Sequence, residues 1–168
     1  MSDKTTSILI VEDESIVAKD IELTVKRLGY SVFGLADSYG QALRLITSLR
    51  PDLILMDIML NGKESGIDLS QKIKEKYNIP VIFLTAYSDS STLAKAKLTG
   101  PYGYVLKPFT EEDLQVAIEV GLNSFGLEEQ IKDSEERYQT TLSSIGEAVI
   151  ATGRDAKIDF MNPQAEKL

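Results

Sequence analysis

Short apolar runs alternate with longer amphipathic stretches along the first 125 residues of the chain. Three of the runs are rich in β-branched residues and apolar almost throughout, a pattern typical of parallel strands that are buried on both faces. They cover residues 7–11, 52–57 and 80–85. Two weaker runs, at 30–36 and 103–106, complete a set of five predicted strands.

The stretches between the strands place apolar residues at the spacing of amphipathic helices. In the first stretch, Val17, Ile21, Val25 and Leu28 share one face, and Gly29 supplies a helix stop. The other four apolar stripes are Ala42, Leu45, Ile46 and Leu49; Leu69, Ile73 and Tyr77; Leu93, Ala96 and the region of Leu98; and Leu114, Ile118, Gly121 and Phe125.

Five alternating strand–helix units predict an α/β fold with a doubly wound, five-stranded parallel sheet and helices on both faces. We assign this domain to residues 1–125. In such folds, ligands bind at the carboxyl ends of the strands, near the point where the strand order reverses. The residues that follow each strand are therefore the candidates for chemistry.

The pattern changes after Gly126. Residues 126–145 form a predicted linker helix whose apolar and small positions recur at spacings of four and three. These positions are Leu127, Ile131, Ser134, Tyr138, Thr141 and Ile145, with Leu142 beside them. The spacing fits a short coiled coil, which is compatible with a homodimer, and it fits equally an amphipathic helix that packs on its own domain.

The last stretch, residues 146–168, contains two strand-like runs at 148–151 and 158–161, separated by a turn-rich segment. Two short strands cannot bury a core by themselves. We therefore expect this stretch to be the truncated start of a further domain.

Composition limits the classes of function. The 168 residues carry a net charge of −8 and contain neither cysteine nor histidine. Within this chain, that excludes disulfides, histidine metal ligands and catalysis by Ser-His or Cys-His pairs. An acidic chain is a poor candidate for direct binding to nucleic acid or to an anionic membrane. The apolar runs are too short to span a bilayer and the first six residues lack a signal-peptide core, so we expect a soluble cytoplasmic protein.

Acidic side chains stand at two strand ends. Glu12 and Asp13 follow the first strand, and Asp57 closes the third. Carboxylates crowded at one sheet edge repel one another unless a cation neutralises them, and Mg²⁺ favours one or two protein carboxylates together with water and phosphate oxygens. The sequence therefore predicts a Mg²⁺ site at this edge. The simpler alternative is that Asp13 or Ser15 only caps the first helix.

Two further strand ends add groups that phosphoryl transfer requires. Thr85 offers a hydroxyl after the fourth strand, and Lys107 offers a cation after the fifth. An aspartate can act as a nucleophile toward phosphorus, and the reaction otherwise needs positioning and charge neutralisation of the phosphoryl oxygens. This set of residues therefore fits the transfer of a phosphoryl group to one of the aspartates at this edge.

With these residues in this order, the sequence resembles the receiver domain of two-component response regulators over roughly residues 5–125. The resemblance implies a flavodoxin-like fold in which Asp57 takes a phosphoryl group from the phosphohistidine of a sensor histidine kinase, in a Mg²⁺-dependent reaction. It also implies a switch in the face formed by helix four, strand five and helix five. Catalysis would be limited to self-phosphorylation from small donors and to autodephosphorylation. The matching residues are Glu12, Asp13, Asp57, Thr85, Ala86, Tyr104, Lys107, Pro108 and Phe109.

The resemblance assigns the metal and phosphate ligands. Asp13 and Asp57 would bind Mg²⁺ together with the main-chain carbonyl of Met59. Glu12 would act mainly through water. Lys107 would pair with the phosphoryl oxygens.

The resemblance also assigns the switch. Thr85 would donate a hydrogen bond to the phosphoryl group, and Tyr104 would turn inward when Thr85 moves. The alternative for Tyr104 is an aromatic ring that simply packs at the sheet edge. Pro108 would have a structural role, with a cis Lys107–Pro108 bond.

The sequence departs from the family pattern in the first acid and in one loop. Glu12 stands where aspartate is commoner. The loop at 58–66 has Leu60 in place of the usual proline, and it is one residue longer than usual before Gly66. These changes bear on the conformation and partner contacts of the loop more than on its chemistry. Tyr87, two residues after Thr85, is a candidate to influence access to the phosphate.

The end of the chain resembles the start of a PAS sensor domain that follows a signalling helix. This resemblance rests on residues 136–139, 144–152 and 158–166. It implies that 126–145 is the signalling helix and that 146–168 opens a PAS-like domain. The parent protein would then be a receiver–PAS–histidine kinase, with its PAS and kinase regions as downstream partners.

Three other functions fit parts of the pattern. An interaction module with a receiver fold that is never phosphorylated would have the same residues. An Asp-nucleophile phosphatase of the haloacid-dehalogenase type carries a second acid two residues after the nucleophile, where this chain has Met59. A flavodoxin-like or dinucleotide-binding module would have a glycine in the first strand–helix turn, and residues 11–15 contain none.

Overall fold

The computed structural model describes residues 5–48, 50–86, 90–155 and 157–167, with the backbone alone for Ser90, Ser91 and Leu93. Leu49, Tyr87 and the side chain of Leu93, which belong to the predictions above, lie outside this description. The chain forms two compact units, of which the first ends at Phe125 and the second begins at Gly126.

The first unit contains a five-stranded parallel sheet, which confirms the predicted fold class. Its strands are β1 (Ser7–Val11), β2 (Ser31–Ala36), β3 (Leu53–Asp57), β4 (Val81–Thr85) and β5 (Gly103–Leu106). The spatial order is β2-β1-β3-β4-β5, so the strand order reverses between β1 and β3. A ligand crevice is expected beyond the carboxyl ends of these two strands.

The helices alternate with the strands. They are α1 (Ser15–Arg27), α2 (Tyr39–Ser48), α3 (Gly66–Lys76), α4 (Ser90–Leu98) and α5 (Glu111–Ser144). The predicted stop after α1 is confirmed, because Gly29 has a φ of 88° and its N–H donates to the carbonyl of Lys26. A positive φ is accessible to glycine at little cost.

Each face of the sheet has its own apolar core, since successive strand residues point to opposite sides. One core joins Leu9, Ile54 and Phe83 to the buried faces of α2, α3 and α4. The other core joins strand residues such as Ile10 and Leu55 to α1 and α5. The prediction for the end of α4 is wrong, because the side chain of Leu98 is 84% exposed. Ala96 is the buried residue among the described side chains of that helix.

The second unit contains the rest of α5 and an antiparallel hairpin. The hairpin strands are β6 (Ile150–Thr152) and β7 (Ile158–Met161), and a 3₁₀ turn follows at Ala165–Lys167. Leu127, Ile131 and Tyr138 on α5 are all exposed. Among the described helices, none has the length and apolar character needed to cross a membrane.

Candidate functional site

The three predicted carboxylates come together at the reversal point of the sheet. Glu12 directly follows β1, and Asp57 is the last residue of β3, the neighbouring strand. The side chains of Glu12, Asp13 and Asp57 each offer a carboxylate oxygen, and these oxygens lie within 4.8 Å of one another. Glu12 is 2% exposed and Asp57 is 7% exposed, so two of the three charges are largely removed from water.

The helix-capping alternative is wrong for this edge. The N-cap of α1 is Glu14, which makes no side-chain capping hydrogen bond, and Ser15 is already the first helical residue. The carboxylate of Asp13 instead accepts a hydrogen bond from the N–H of Asn61, at 3.1 Å, in the loop after β3. Asp13 therefore faces the crevice between the two loops rather than its own helix.

Lys107 brings a positive charge to the cluster from beyond β5. Its Nζ lies 2.5 Å from Oε2 of Glu12 and 2.5 Å from Oδ2 of Asp57. The other oxygen of Asp57 accepts a hydrogen bond from the N–H of Met59, at 2.8 Å. Lys107 thus neutralises carboxylates from two different strands.

Burial and pairing oppose each other at this cluster. Burial raises the pKa of Glu12, and the charge of Asp57 adds to this effect, while the hydrogen bond from Lys107 opposes it. Burial also tends to lower the pKa of Lys107, but its hydrogen bonds to Asp57 and Glu12 outweigh burial and leave its pKa raised. Lys107 therefore stays charged at neutral pH.

The two predicted switch residues lie on neighbouring strands. Thr85 ends β4 and is buried, and its hydroxyl donates to the carbonyl of Ala86 at 2.8 Å. Tyr104 on β5 pairs with Phe83 in the sheet, and their ring centroids are 5.9 Å apart. The Tyr104 hydroxyl is buried and makes no hydrogen bond within the described part of the chain, and burial raises its pKa. The Lys107–Pro108 bond is cis, as expected.

The loop after β3 contains contacts that the sequence did not reveal. Leu60, at the position of the usual proline, is buried in the core that contains Phe83. The N–H of Gly66 donates to the carbonyl of Ile58 at 3.0 Å, and a methyl group at Gly66 would overlap the carbonyl oxygen of Asp57. These contacts hold the loop against the carboxyl end of β3. The indication in the sequence is Gly66 itself. The spacing of apolar residues does not show that the main chain of Asp57 packs closely against this glycine.

The donor atoms suit Mg²⁺. All three candidate ligands are carboxylates, and this hard cation prefers oxygen ligands. Asp13 is more accessible than Glu12 and Asp57, so the cluster has one side open to the crevice. The predicted site residues Glu12, Asp13, Asp57 and Lys107 are thus together, with Thr85 at the end of the next strand.

Comparisons with known proteins agree with this geometry. The model of the response regulator receiver domain matches residues 8–119. The transcriptional regulatory protein PdtaR of Mycobacterium tuberculosis is 32% identical over 137 residues, which cover 79% of this chain and 66% of PdtaR. Other curated relatives are covered over 55% and 45% of their length, so the activity of the whole relatives does not follow from these matches.

Solved structures that resemble this chain include two receiver-type domains. The signal receiver domain of a modulated diguanylate cyclase from Desulfovibrio desulfuricans G20 is 35% identical, with a TM-score of 0.70, and the match covers 74% of this chain and 98% of that one. The N-terminal domain of a response regulator/sensory box/GGDEF 3-domain protein from Carboxydothermus hydrogenoformans is 34% identical, with a TM-score of 0.68 and coverage of 73% and 98%.

The family match, together with the fold and the acidic strand-end site, places the chain among the proteins of two-component signalling. The chain belongs to the response regulator receiver domain family, and residues 8–119 carry that domain. Membership implies a histidine kinase as the general class of partner.

Proposed function

We propose that Asp57 is the phosphoacceptor and that it receives its phosphoryl group from the phosphohistidine of a partner histidine kinase. A carboxylate oxygen of Asp57 forms the new P–O bond while the P–N bond of the donor breaks, and the imidazole nitrogen keeps the bonding electrons and takes a proton from water. The observation that carries the proposal is the position of Lys107 Nζ, which lies 2.5 Å from Asp57 and can follow the charge onto the phosphoryl oxygens.

Asp13 and Asp57 are proposed to hold Mg²⁺, with the Met59 carbonyl as a further ligand and Glu12 acting mainly through water. The ion supplies charge neutralisation of the phosphoryl oxygens when it is bound. The chain's own residues orient the acceptor: the N–H of Met59 fixes one oxygen of Asp57 and Lys107 holds the other.

Thr85 and Tyr104 are proposed to convert phosphorylation into a change of shape. Thr85 must give up its hydrogen bond to the Ala86 carbonyl in order to donate to a phosphoryl oxygen. Tyr104 pairs with Phe83 in the sheet. Phe83 lies two residues before Thr85 and on the same side of β4, so a movement of Thr85 would change the surroundings of the Tyr104 ring. The face formed by α4, β5 and α5 then changes its affinity for partners.

The first test is intact mass after incubation with acetyl phosphate and Mg²⁺, with and without EDTA. We expect a single phosphoryl adduct that requires Mg²⁺ and is removed by hydroxylamine. Asp57→Asn should abolish it. Asp20→Asn, a matched loss of an exposed aspartate on α1, should leave it unchanged.

The outcomes separate the competing functions. A full adduct on Asp57→Asn would reject the acceptor assignment. If no adduct forms, a beryllofluoride-induced rise in melting temperature would indicate rapid self-hydrolysis, and its absence would favour an interaction module that is never phosphorylated. Sustained turnover of phosphate esters would favour the phosphatase alternative.

We also propose that residues 126–145 are a signalling helix and that 146–168 begin a PAS-like domain of a longer receiver–PAS–histidine kinase, located in the cytoplasm with its phosphoryl donor. The support is the continuation of α5 to Ser144 and the antiparallel hairpin that follows it.

The exposed Leu127, Ile131 and Tyr138 favour a homodimer through this helix. Light scattering should give a dimer mass that Ile131→Glu reduces, and an unchanged monomer mass for both would reject the dimer.

A further inference from the structure

The side chain of Asn162 is fully buried in the second unit, just after β7. Its Oδ1 accepts hydrogen bonds from the N–H of Val149, at 2.9 Å, and of Ala165, at 3.0 Å. Its Nδ2 lies within hydrogen-bond distance of three carbonyl oxygens, at 2.8 Å for Glu147, 3.3 Å for Ile145 and 3.4 Å for Leu142. We call these five contacts the amide network.

The amide network joins two separate elements. Leu142 belongs to the last turn of α5, where the final carbonyls have no partner within the helix. Val149 precedes β6, and the main-chain N–H of Asn162 donates to the carbonyl of Val149 at 3.1 Å. One side chain therefore closes the end of α5 and the start of the hairpin at the same time.

A carboxamide is the side chain that suits this position. It offers two donors and two acceptor lone pairs, and the amide network uses both kinds. A carboxylate would turn the three carbonyl contacts into repulsive ones and place a negative charge at a helix C-terminus. An apolar residue would remove the partner of the buried N–H of Ala165 and of partly buried groups such as the N–H of Val149 and the carbonyl of Glu147.

We propose that Asn162 couples the C-terminal end of α5 to the β6–β7 hairpin, so that the two open and close as one cooperative unit. Fraying or rotation at the end of α5 then changes the conformation of the hairpin, and a conformational change in the hairpin alters the end of α5. This makes Asn162 a positioning residue for any signal that passes between them, whether or not Asp57 is phosphorylated.

Hydrogen exchange of the full chain, followed by mass spectrometry, tests the coupling. Asn162→Ala should speed exchange in residues 138–147 and in residues 158–161 by a common factor of at least tenfold. Gln139→Ala, which removes an exposed carboxamide from the same helix, should change neither segment. Acceleration of one segment without the other, or an Asn162→Ala variant that behaves like Gln139→Ala, would overturn the proposal.

Asn162→Asp gives a second reading that simple loss of packing does not. Burial against carbonyl oxygens raises the pKa of the introduced carboxyl, so it repels the network at neutral pH and offers a donor when protonated. We expect the common acceleration to shrink at pH 4 relative to Asn162→Ala at the same pH. Equal exchange of the Asp and Ala variants at both pH values would show that the carbonyl contacts do not couple the segments.

Discussion

Gly66 lies against the carbonyl oxygen of Asp57, and even a methyl group at Gly66 would overlap that oxygen. Gly66, the first residue of α3, thus packs directly against the main chain of the proposed phosphoacceptor. The side chain of Asp57 faces Lys107 and Met59, while its carbonyl faces the helix that begins at Gly66.

Gly66→Ala should lower the free energy of unfolding by about 2 kcal/mol, because the overlap forces either α3 or the end of β3 to move. It should also slow labelling of Asp57. Gly40→Ala is the matched control: Gly40 has open space around it, is exposed in α2, and should gain about 0.5 kcal/mol from helix propensity. Urea denaturation of both variants measures the difference. Equal stability of Gly66→Ala and wild type would show that the loop adapts to the methyl group.

Lys107→Met should make the stability of the domain depend on Mg²⁺. Removal of the lysine leaves buried Glu12 and Asp57 without their positive partner, at a cost of about 3 kcal/mol in the absence of metal. Mg²⁺ should therefore raise the melting temperature of the variant more than that of wild type. Lys132→Met, at an exposed position on α5, should respond to Mg²⁺ as wild type does. A smaller Mg²⁺ response in Lys107→Met would contradict this account of the cluster.

Tyr104→Phe should stabilise the unphosphorylated protein by about 1 kcal/mol, because it removes a buried hydroxyl that has no hydrogen-bond partner among the described residues. Tyr138→Phe removes an exposed hydroxyl and should be neutral. Thermal denaturation without phosphoryl donor measures both. Destabilisation of Tyr104→Phe would mean that the hydroxyl already makes a favourable interaction in this state.

The capping box of α3 should give a pH-dependent contribution to stability. The main-chain N–H and then the hydroxyl of Ser65 donate to Asp68, which lowers the pKa of that carboxyl below its ordinary value of 3.8. The stabilisation is therefore present above pH 3.8 and is lost as the pH falls through the lowered value. Asp68→Asn should cost about 1 kcal/mol at pH 7, and less as the pH drops below 3.8. Denaturation from pH 7 to pH 3 tests this, and a constant difference between the proteins would reject the mechanism.

The predictable part of this molecule is the part whose signal is local. Residues such as Ile54 and Ile82 lie in strands buried on both faces, so their runs are continuously apolar. Because parallel strands end at one edge, Glu12 and Asp57 could be placed together from the sequence alone. The assignment of Leu98 to the weak apolar stripe of α4 is wrong because Leu98 comes two residues after the buried Ala96, a separation that places it on a different face of the helix.

The unpredicted features are contacts in which at least one partner is a main-chain group. The hydrogen bond from the N–H of Asn61 to Asp13 depends on the path of the loop after β3, and so does the close approach of Gly66 to the carbonyl of Asp57. Composition does not determine that path. The network of Asn162 joins residues from Leu142 to Ala165 through carbonyl and N–H groups. Every residue carries such groups, so the sequence contains no pattern for them.

The ion pairs of Lys107 have a consequence for the order in which the site forms while each chain is synthesised and folds. Lys107 is 95 residues from Glu12 and 50 residues from Asp57 along the chain. A growing chain that has not yet produced β5 already carries both carboxylates but lacks their cation. Contacts of such long range close late, after the loops between them have been ordered. If Asp57 is the phosphoacceptor as proposed, a chain without β5 lacks the cation of the site, and we therefore expect it not to accept a phosphoryl group.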